Sequence, residues 1–496
     1  MPTLDDYVKI GFKYHQDNKY EEAENAYTEA LKIDGENAEV CILMGVLKLQ
    51  KNEVREAILW IEKAIKKDPC EYFYESLFHA LMRNKYFSEI ISYEKEVLHN
   101  YPKSFSLLFY LAQAFKNLGK NLKAINLYDK ALKIKPDSMQ AWYNISHLYS
   151  IEAQCKNAVS ALEICKKLSP YDKEVDYFLA TAYMRIKDYN KGLKLFESRM
   201  CRDTALSTQS KMYPNLIRED NLWKGENIKD KTIFVYYEAG YGDVIMFSRY
   251  LPLLKKKCKK LIFYPHKQLV PLFQHSNLGI DELVEGFVPE NKLSFDVHVP
   301  LLSLPYLLGL KNEEIFEQSE GYLVAEEKLV ENYQKKYFDN DALKIGFKWQ
   351  GNTTIDKDRV IPVKEFFPLM ELEKTKFYSF QTFEGAENIE NIPDKYNVVD
   401  IGKDLLNFDQ TAAALMGLDL VICNDTSLAH LAGALGIPCF VLLPYEVNWR
   451  WHDDLPRCDW YNSLTLFRQK ENGNWDKAIQ EILEILNNHI SSGNIQ

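Results

Sequence analysis

Long uncharged apolar runs are scarce in this 496-residue chain. The longest, such as 299–310 and 412–418, fall short of the roughly 20 residues that a membrane-spanning helix needs. The first segment, 1–14, carries four charged side chains and lacks an apolar core followed by a small-residue cleavage site. We therefore expect neither a transmembrane segment nor an export signal.

Paired cysteines and an excess of positive charge are also missing. The nine cysteines include no C-x-x-C pair and no histidine at zinc-ligand spacing, which predicts reduced thiols, no structural zinc and a cytoplasmic protein. A formal net charge of -10 disfavours broad nucleic-acid binding, because neutralising phosphates requires a basic face. With 46% hydrophobic residues, we expect at least two folded domains.

The first two-fifths of the chain repeats itself with a period of about 34 residues. Each repeat has one pattern of large and small apolar residues for a first helix and another for a second helix. Examples are Trp142, Ile145, Ser146 and Tyr149 for the first pattern, and Ala124, Tyr128 and Ala131 for the second. Small residues let two helices approach closely, and each pair buries its apolar face by stacking on the next pair.

This part, 1–200, resembles about six tetratricopeptide repeats, of which the third, near 72–101, is degenerate. The resemblance implies an α-solenoid whose concave surface binds a protein acceptor or an assembly partner. The fold itself specifies no partner. The aromatic stripes are interpreted as core.

The helical periodicity stops in 201–230, which is interpreted as a linker. Beyond it, β-rich runs alternate with helical segments, so we expect parallel sheets with helices on both faces. The predicted strands are 232–237, 260–264, 344–349, 377–381, 397–401, 418–423 and 438–443. This number of strands favours two doubly wound sheets, divided by a crossing helix near 321–342, with a ligand cleft beyond the carboxyl ends of the strands.

A glycine-rich turn follows the first predicted strand and precedes a helical segment. Gly240 and Gly242 lie in it, and backbone N–H groups in such a turn can meet an anion. The third glycine of a dinucleotide fingerprint is missing, so a nicotinamide or flavin site is weakly indicated. Asp243 ends the turn and either accepts a proton from an attacking hydroxyl or caps the helix.

A second motif follows the predicted strand 418–423. Asp425 and Thr426 are good N-cap residues, and Ser427 opens a helix rich in alanine and glycine. The N–H groups and the dipole at such a helix start favour a diphosphate. His430 lies one turn into the helix, on the same face as Thr426, and is either a ligand contact or a buried histidine with satisfied hydrogen bonds.

Further polar and aromatic side chains end the other strands. Trp349 follows one strand, and Arg359, a little farther on, either neutralises phosphate or forms a surface salt bridge. Gln381 ends the next strand and is expected to face the same cleft. The aromatic loop 444–451 includes Tyr445 and either stacks on a base or sugar or serves as packing.

Taken together, these motifs resemble glycosyltransferase family 9, which includes the heptosyltransferases of lipopolysaccharide synthesis. The resemblance covers about 231–486. Within the family, this sequence is most similar to the branch in which tetratricopeptide repeats are fused to the transferase. The matching motifs are G-x-G-D at 240–243, W-x-G-N at 349–352, N-D-T-x-x-A-H-L-A-G-A-L-G at 424–436, W-R-W at 449–451 and L-F-R-Q at 466–469.

The resemblance implies a GT-B fold of two Rossmann-like domains, an acceptor-side domain at 231–325 and a donor domain at 340–490. It implies a nucleotide-sugar donor without a metal or another cofactor. Asp243 is similar to the family's catalytic base, and Asp425, Thr426 and His430 match its donor-phosphate motif. The full predicted donor-binding set is Gly240, Gly242, Trp349, Arg359, Gln381, Asp425, Thr426, Ser427, His430 and Tyr445.

The leading functional hypothesis is a glycosyltransferase that transfers a sugar from a nucleotide-activated donor to a protein held by the repeats. Fusions of this plan resemble flagellin glycosyltransferases. Two alternatives are a transferase for lipopolysaccharide or surface polysaccharide, and a non-catalytic scaffold with a decayed transferase domain. The enzymatic hypothesis requires the turn ending in Asp243 and the helix opening at Thr426 to face a common crevice.

Overall fold

The computed structural model describes residues 2–201, 216–317, 319–354, 357–452 and 456–492. The chain divides into two compact units, Met1–Tyr171 and Asp172–Gln496. In the predicted linker, 202–215 lie outside the described residues. The predicted domain limits stay a prediction. The sixth predicted helical pair, which follows Asp172, lies in the second unit and not in the first.

The first unit is a solenoid of helix pairs, as the repeat pattern predicts. The small and aromatic positions of the second helices, such as Ala23, Tyr27 and Ala30, are fully buried. The helices are α1 Leu4–Gln16, α2 Tyr20–Ile33, α3 Ala38–Gln50, α4 Val54–Lys67, α5 Glu71–Arg83, α6 Phe87–Ser92, α7 Glu94–Asn100, α8 Phe105–Asn117, α9 Asn121–Ile134, α10 Met139–Ile151 and α11 Cys155–Leu168.

Close helix approach explains the small residues of this pattern. A Cβ atom at Gly45 of α3 would lie 2.5 Å from Cγ1 of Ile61 on α4, so only glycine fits without a shift. The degenerate third repeat differs from its neighbours, because its second helix is interrupted at Tyr93 between α6 and α7. The Tyr93 hydroxyl donates to Glu62 at 3.1 Å, and its ring lies 6.0 Å from that of Tyr74.

The second unit begins with two helices and continues as an α/β region with two separate parallel sheets. The initial helices are α12 Lys173–Arg185 and α13 Tyr189–Phe196. The first sheet has the strand order β3-β2-β1-β4, with β1 Ile228–Tyr236, β2 Cys258–Tyr264, β3 Glu282–Leu283 and β4 Val297–Pro300. Its helices are α14 Tyr241–Ser248, α15 Leu251–Lys255, α16 Val270–His275 and α17 Leu304–Leu307.

Helix α18, Glu327–Tyr337, lies between the two sheets in sequence, within the segment where a crossing helix is predicted. The second sheet has the order β10-β9-β8-β5-β6-β7. Its strands are β5 Leu343–Lys348, β6 Thr375–Ser379, β7 Val399–Asp400, β8 Leu420–Asn424, β9 Cys439–Leu443 and β10 Leu464–Arg468. Its helices are α19 Phe367–Met370, α20 Phe408–Leu415, α21 Ser427–Leu435 and α22 Asp476–Ser492.

The predicted α/β alternation is confirmed, but three of the strands were not predicted. Strand β3 is two residues long and β4 is four. Strand β10 ends within the L-F-R-Q motif, a family signature for which no conformation was predicted. Within the described ranges, no helix combines the length and apolar character needed to cross a bilayer.

The strand order places several turns at positions where ligands bind in such sheets. Strand β1 lies between β2 and β4, and β5 lies between β6 and β8, so successive connections leave in opposite directions. Ligands bind outside the carboxyl ends of strands at these switch points. The turns after β1, β5 and β8 are therefore the expected site.

The initial helices of the second unit pack on the segments that border this site. The Tyr189 hydroxyl lies 2.6 Å from Nε2 of His452, and the ring of Phe196 lies 5.6 Å from that of Trp449. After α13, Arg199 forms a buried ion pair with Glu238, 2.7 Å from Nη2 to Oε1. These contacts fix both the turn after β1 and the loop after β9.

Candidate functional site

Two neighbouring cavities open at the carboxyl ends of β1, β5 and β8. The first, here called the charged cavity, has a volume of about 390 Å³. The second, here called the apolar cavity, has a volume of about 370 Å³. Both are lined by the same five residues where they meet: Tyr241, Gly351, Asn352, Thr426 and Ser427. One ligand of two chemically different parts could occupy both.

Asp243 and Arg450 form an ion pair in the wall of the charged cavity. The Asp243 carboxylate accepts from Nε of Arg450 at 2.8 Å and from its Nη2, and each side chain is 15% exposed. Arg450 Nη1 also donates to Asn448 at 2.6 Å. Although burial opposes its charge, the neighbouring Asp243 holds the pKa of Arg450 above its ordinary value. The arginine is therefore a permanent cation at this wall.

Helices α14 and α21 approach each other across the charged cavity. A Cβ atom at Gly242 would lie 2.7 Å from Cδ2 of His430 and 3.5 Å from Cα of Ser427. The glycine of the turn therefore allows the Asp243 segment to reach the start of α21. The turn and the helix start do face a common crevice.

Replacing Gly242 with alanine is expected to destabilise the protein by about 1–3 kcal/mol, because the added methyl group overpacks the contact with His430. Gly240 is the matched control. A Cβ atom there would meet only Oδ2 of Asp243, at 3.9 Å, and its φ of -69° suits any residue. Gly240→Ala should cost less than about 1 kcal/mol, the preference for glycine at an N-cap. Chemical denaturation measures both, and equal stabilities would contradict the close contact.

His430 is a buried neutral imidazole at the charged cavity. It is 3% exposed, and its ring stacks on Trp451 with 5.2 Å between centroids. Burial, followed by the positive charges of Arg450, Arg249 and Arg359, lowers its pKa well below the ordinary value. The Tyr461 hydroxyl lies 3.2 Å from Nδ1. When that hydroxyl donates to Nδ1, the imidazole hydrogen is on Nε2 and can be donated to a ligand oxygen.

Arg359 is held at the same cavity by Asp425. Its Nε lies 3.3 Å from Oδ2 of Asp425, and its Nη1 donates to the Asp425 carbonyl oxygen, also at 3.3 Å. The side chain of Asn424 donates to the Arg359 carbonyl oxygen at 2.8 Å. Arg359 therefore lies beside the candidate phosphate site, and its salt bridge is to the buried Asp425 and not at the surface as the alternative expected.

Thr426 and Ser427 line both cavities at the start of α21. Thr426 is the N-cap residue, with the extended φ of -140°, and its side chain makes no capping hydrogen bond among the described residues. Helix N-termini carry partial positive charge and N–H groups directed outward. This end of α21 therefore adds to the positive character provided by Arg359 and Arg450.

Three predicted donor-binding residues line neither cavity. Trp349 is buried and packs on Phe347, with 5.5 Å between ring centroids. The Gln381 side-chain oxygen accepts from the backbone N–H groups of Trp349 and Gln350, at 3.2 and 3.1 Å, so it shapes the loop behind the site. Tyr445 also lies outside both linings. Direct donor contact by these three stays a prediction, and the geometry does not support it.

The apolar cavity is lined by residues for which no role was predicted from the sequence. Phe383 is 87% exposed at this cavity and has a φ of 55°, a left-handed conformation that is unusual for a bulky residue. Leu406, 74% exposed, lines the same cavity. Lys348 and Thr382 add polar groups. Exposed apolar side chains beside a few polar groups are typical of a site for a flat, partly polar ligand.

Comparison with known proteins agrees with the two-part organisation. Sequence models of the tetratricopeptide repeat match residues 14–77 and 106–138. The model of glycosyltransferase family 9 (heptosyltransferase) matches 384–447, which includes β8 and α21. The chain therefore combines tetratricopeptide repeats with a segment, 384–447, that matches the family 9 model. That match does not reach Asp243, so the role of Asp243 depends on the geometry and the motif resemblance.

Individual relatives are distant. Protein FlbA of Caulobacter vibrioides is 24% identical over 437 residues, covering 82% of this chain and 71% of that protein. The TPR repeat-containing protein MJ1428 of Methanocaldococcus jannaschii is 24% identical over 248 residues, covering 48% and 40%. A solved structure from the functional characterization of Pseudomonas aeruginosa pilF is 16% identical, with a TM-score of 0.35 over 43% of this chain and 97% of that one.

Proposed function

We propose that this protein is a metal-independent GT-B glycosyltransferase that transfers a sugar from a nucleotide-activated donor to a protein bound by the repeats. One observation carries the proposal. A carboxylate on the turn after β1, Asp243, faces the start of α21 in a cavity that also contains two arginines and a neutral histidine. A glycosyl transfer needs these two functions together, a base for the acceptor and positive groups for the leaving diphosphate.

The leaving diphosphate would lie between the start of α21 and the two arginines. Arg359 and Arg450 line the charged cavity from different segments, and Ser427, the first residue of α21, lines it as well. These groups supply the positive charge that the departing phosphate requires. His430 would add a hydrogen bond from Nε2. The residues of this chain thus provide the charge stabilisation that other transferases obtain from a bound cation.

Asp243 would take the proton of the attacking acceptor hydroxyl. In the structure its carboxylate is engaged by Arg450, which is also near the proposed diphosphate position. A bound diphosphate offers Arg450 a second anionic partner. Transfer of the arginine from carboxylate to phosphate would leave Asp243 available to the acceptor, so the donor is expected to bind first.

The apolar cavity would receive the nucleobase. It adjoins the charged cavity through Thr426 and Ser427, so a ligand with its diphosphate on α21 can extend its base there. Phe383 presents an exposed ring at this cavity on which a base can stack.

Phe383→Ala is expected to lower nucleoside diphosphate affinity about tenfold, because stacking on an aromatic ring contributes about 1–3 kcal/mol per base. Calorimetric titration with UDP, GDP, ADP and CDP measures the effect. Phe287, 65% exposed and outside both cavities, is the control, and Phe287→Ala should bind as the unchanged protein does. Equal affinities for the two variants would place the base elsewhere.

The acceptor part of the proposal is supported by the repeats, because tetratricopeptide solenoids present a concave surface on which proteins bind. Incubation of the full chain with radiolabelled nucleotide sugars and cell lysate tests it. A labelled polypeptide band is the expected product. Label found only in lipid or free glycan would replace the protein acceptor with a surface polysaccharide or lipopolysaccharide acceptor. Binding of no nucleotide sugar at all would favour a non-catalytic scaffold.

A further inference from the structure

Lys348 is a buried cation that the proposed reaction does not use. It ends β5, is 8% exposed and lines the apolar cavity. Its Nζ atom donates to the carbonyl oxygen of Phe380 and to the Thr382 hydroxyl, each at the long distance of 3.4 Å. Among the described residues it forms no salt bridge with a carboxylate.

Such an environment is unfavourable for an ammonium group. Burial of a charge without a counter-ion is costly, and here burial lowers the pKa of Lys348 to about 8. The group is still mostly protonated at pH 7. An ammonium has three donors and no acceptor, and its two present partners are weak. A ligand in the apolar cavity that supplies a strong acceptor would complete its hydrogen bonding.

Lys348 and Thr382 together present a donor beside a group that can accept. The ammonium can donate to a carbonyl oxygen while the hydroxyl, 3.4 Å away, accepts from an adjacent N–H. A carbonyl next to an N–H is the lactam edge of uracil, thymine and guanine. In adenine and cytosine the acceptor beside the amino N–H is a ring nitrogen with one lone pair, and the O2 carbonyl of cytosine lies beside a ring nitrogen that carries no hydrogen.

We propose that Lys348 determines base specificity by binding the lactam carbonyl of the donor, so that this transferase uses a uracil, thymine or guanine nucleotide. The inference depends on the proposed function, because it requires the base to occupy the apolar cavity. Thr382 contributes to the same specificity, because its hydroxyl accepts from the N–H next to that carbonyl.

Calorimetric titration of the full chain with UDP, GDP, ADP and CDP at pH 7 tests the inference. UDP or GDP should bind at least about tenfold more tightly than ADP and CDP, the effect of one charge-assisted hydrogen bond. Lys348→Met should remove the preference, with a loss of about 10–100-fold for the favoured nucleotide and less than about threefold for the others. Lys344→Met, on the same strand but outside the cavity, is the matched control and should keep the preference.

The outcomes separate the two proposals. A preference of the unchanged protein for ADP or CDP, or a Lys348→Met variant that keeps the uracil or guanine preference, overturns the role of Lys348. Neither result contradicts the proposed transferase function. Failure of all four nucleotides, and of dTDP as the thymine nucleotide, to bind the unchanged protein overturns both.

A fold defect would be visible separately. Lys348→Met removes a buried charge, so its thermal unfolding midpoint without nucleotide should equal or exceed that of the unchanged protein. If the variant unfolds, Thr382→Val provides the test and should weaken the favoured nucleotide by about 3–10-fold. Unchanged affinity in Thr382→Val would then overturn the inference.

Discussion

Asp243→Asn is expected to reduce sugar transfer by about 10²–10⁴-fold, the usual contribution of a general base, while nucleoside diphosphate affinity changes by less than about threefold. An amide has the shape of the carboxylate and keeps an oxygen for Arg450, but it cannot take the acceptor proton. Asparagine is preferable to alanine here, because alanine would leave the buried Arg450 without its counter-ion. Release of nucleoside diphosphate from a nucleotide sugar measures transfer, and calorimetry measures binding.

The control for this substitution is an exposed carboxylate of the same unit. Asp220 pairs with Arg218 at the surface, where its side chain is 69% exposed, so Asp220→Asn should leave transfer and binding unchanged. Full turnover in Asp243→Asn would remove Asp243 from the mechanism. A parallel loss of nucleotide binding would instead show that the residue acts by holding Arg450.

The fold was predictable where one local pattern decides the structure. In the solenoid, a position such as Gly45 has the same role in the regular repeats, so self-similarity reveals it. Strands such as β8 are continuous apolar runs and are equally visible. Strands β3 and β4 were not predicted, whereas the equally short β7 lies within the longer predicted β-rich run 397–401. Pairing with neighbouring strands forms β3 and β4.

The parts of the site that the backbone positions were predictable. The turn at Gly242 and the start of α21 at Thr426 follow strands directly, and the carboxyl ends of parallel strands define where they lie. Arg450 is different. It stands between two tryptophans in a loop, and both its partner Asp243 and the partner of Trp449, Phe196, are more than 200 residues earlier in the chain. No local pattern contains that information.

Strand alternation explains why Lys348, for which no role was predicted, lines the cavity while Trp349 does not. Successive side chains of a strand point to opposite faces. Ile345, Phe347 and Trp349 share one face and belong to one buried apolar cluster. Lys348 therefore lies on the other face and reaches the apolar cavity. The motif W-x-G-N directed attention to the tryptophan, while the alternation of β5 already indicated the lysine.

Arg450→Gln is expected to weaken nucleoside diphosphate binding by about 10–100-fold, because a buried charge-assisted bond to phosphate contributes about 1.5–3 kcal/mol. Transfer at saturating donor should fall further, since the leaving group loses a cation as its charge develops. Arg450→Lys keeps the charge without the planar fork, so its nucleotide affinity should lie between those of the unchanged protein and of Arg450→Gln. Arg457, exposed and outside both cavities, is the control, and Arg457→Gln should bind normally.

A double-mutant cycle decides whether Arg450 acts on phosphate, on Asp243, or on both. If the arginine serves only to hold the carboxylate, Asp243→Asn combined with Arg450→Gln should bind nucleotide no worse than Asp243→Asn alone. If it moves to the phosphate when the donor arrives, the double variant should keep the full binding loss of Arg450→Gln. The second result is expected, because both residues line the cavity at which α21 begins. The first would mean that donor binding does not free the base.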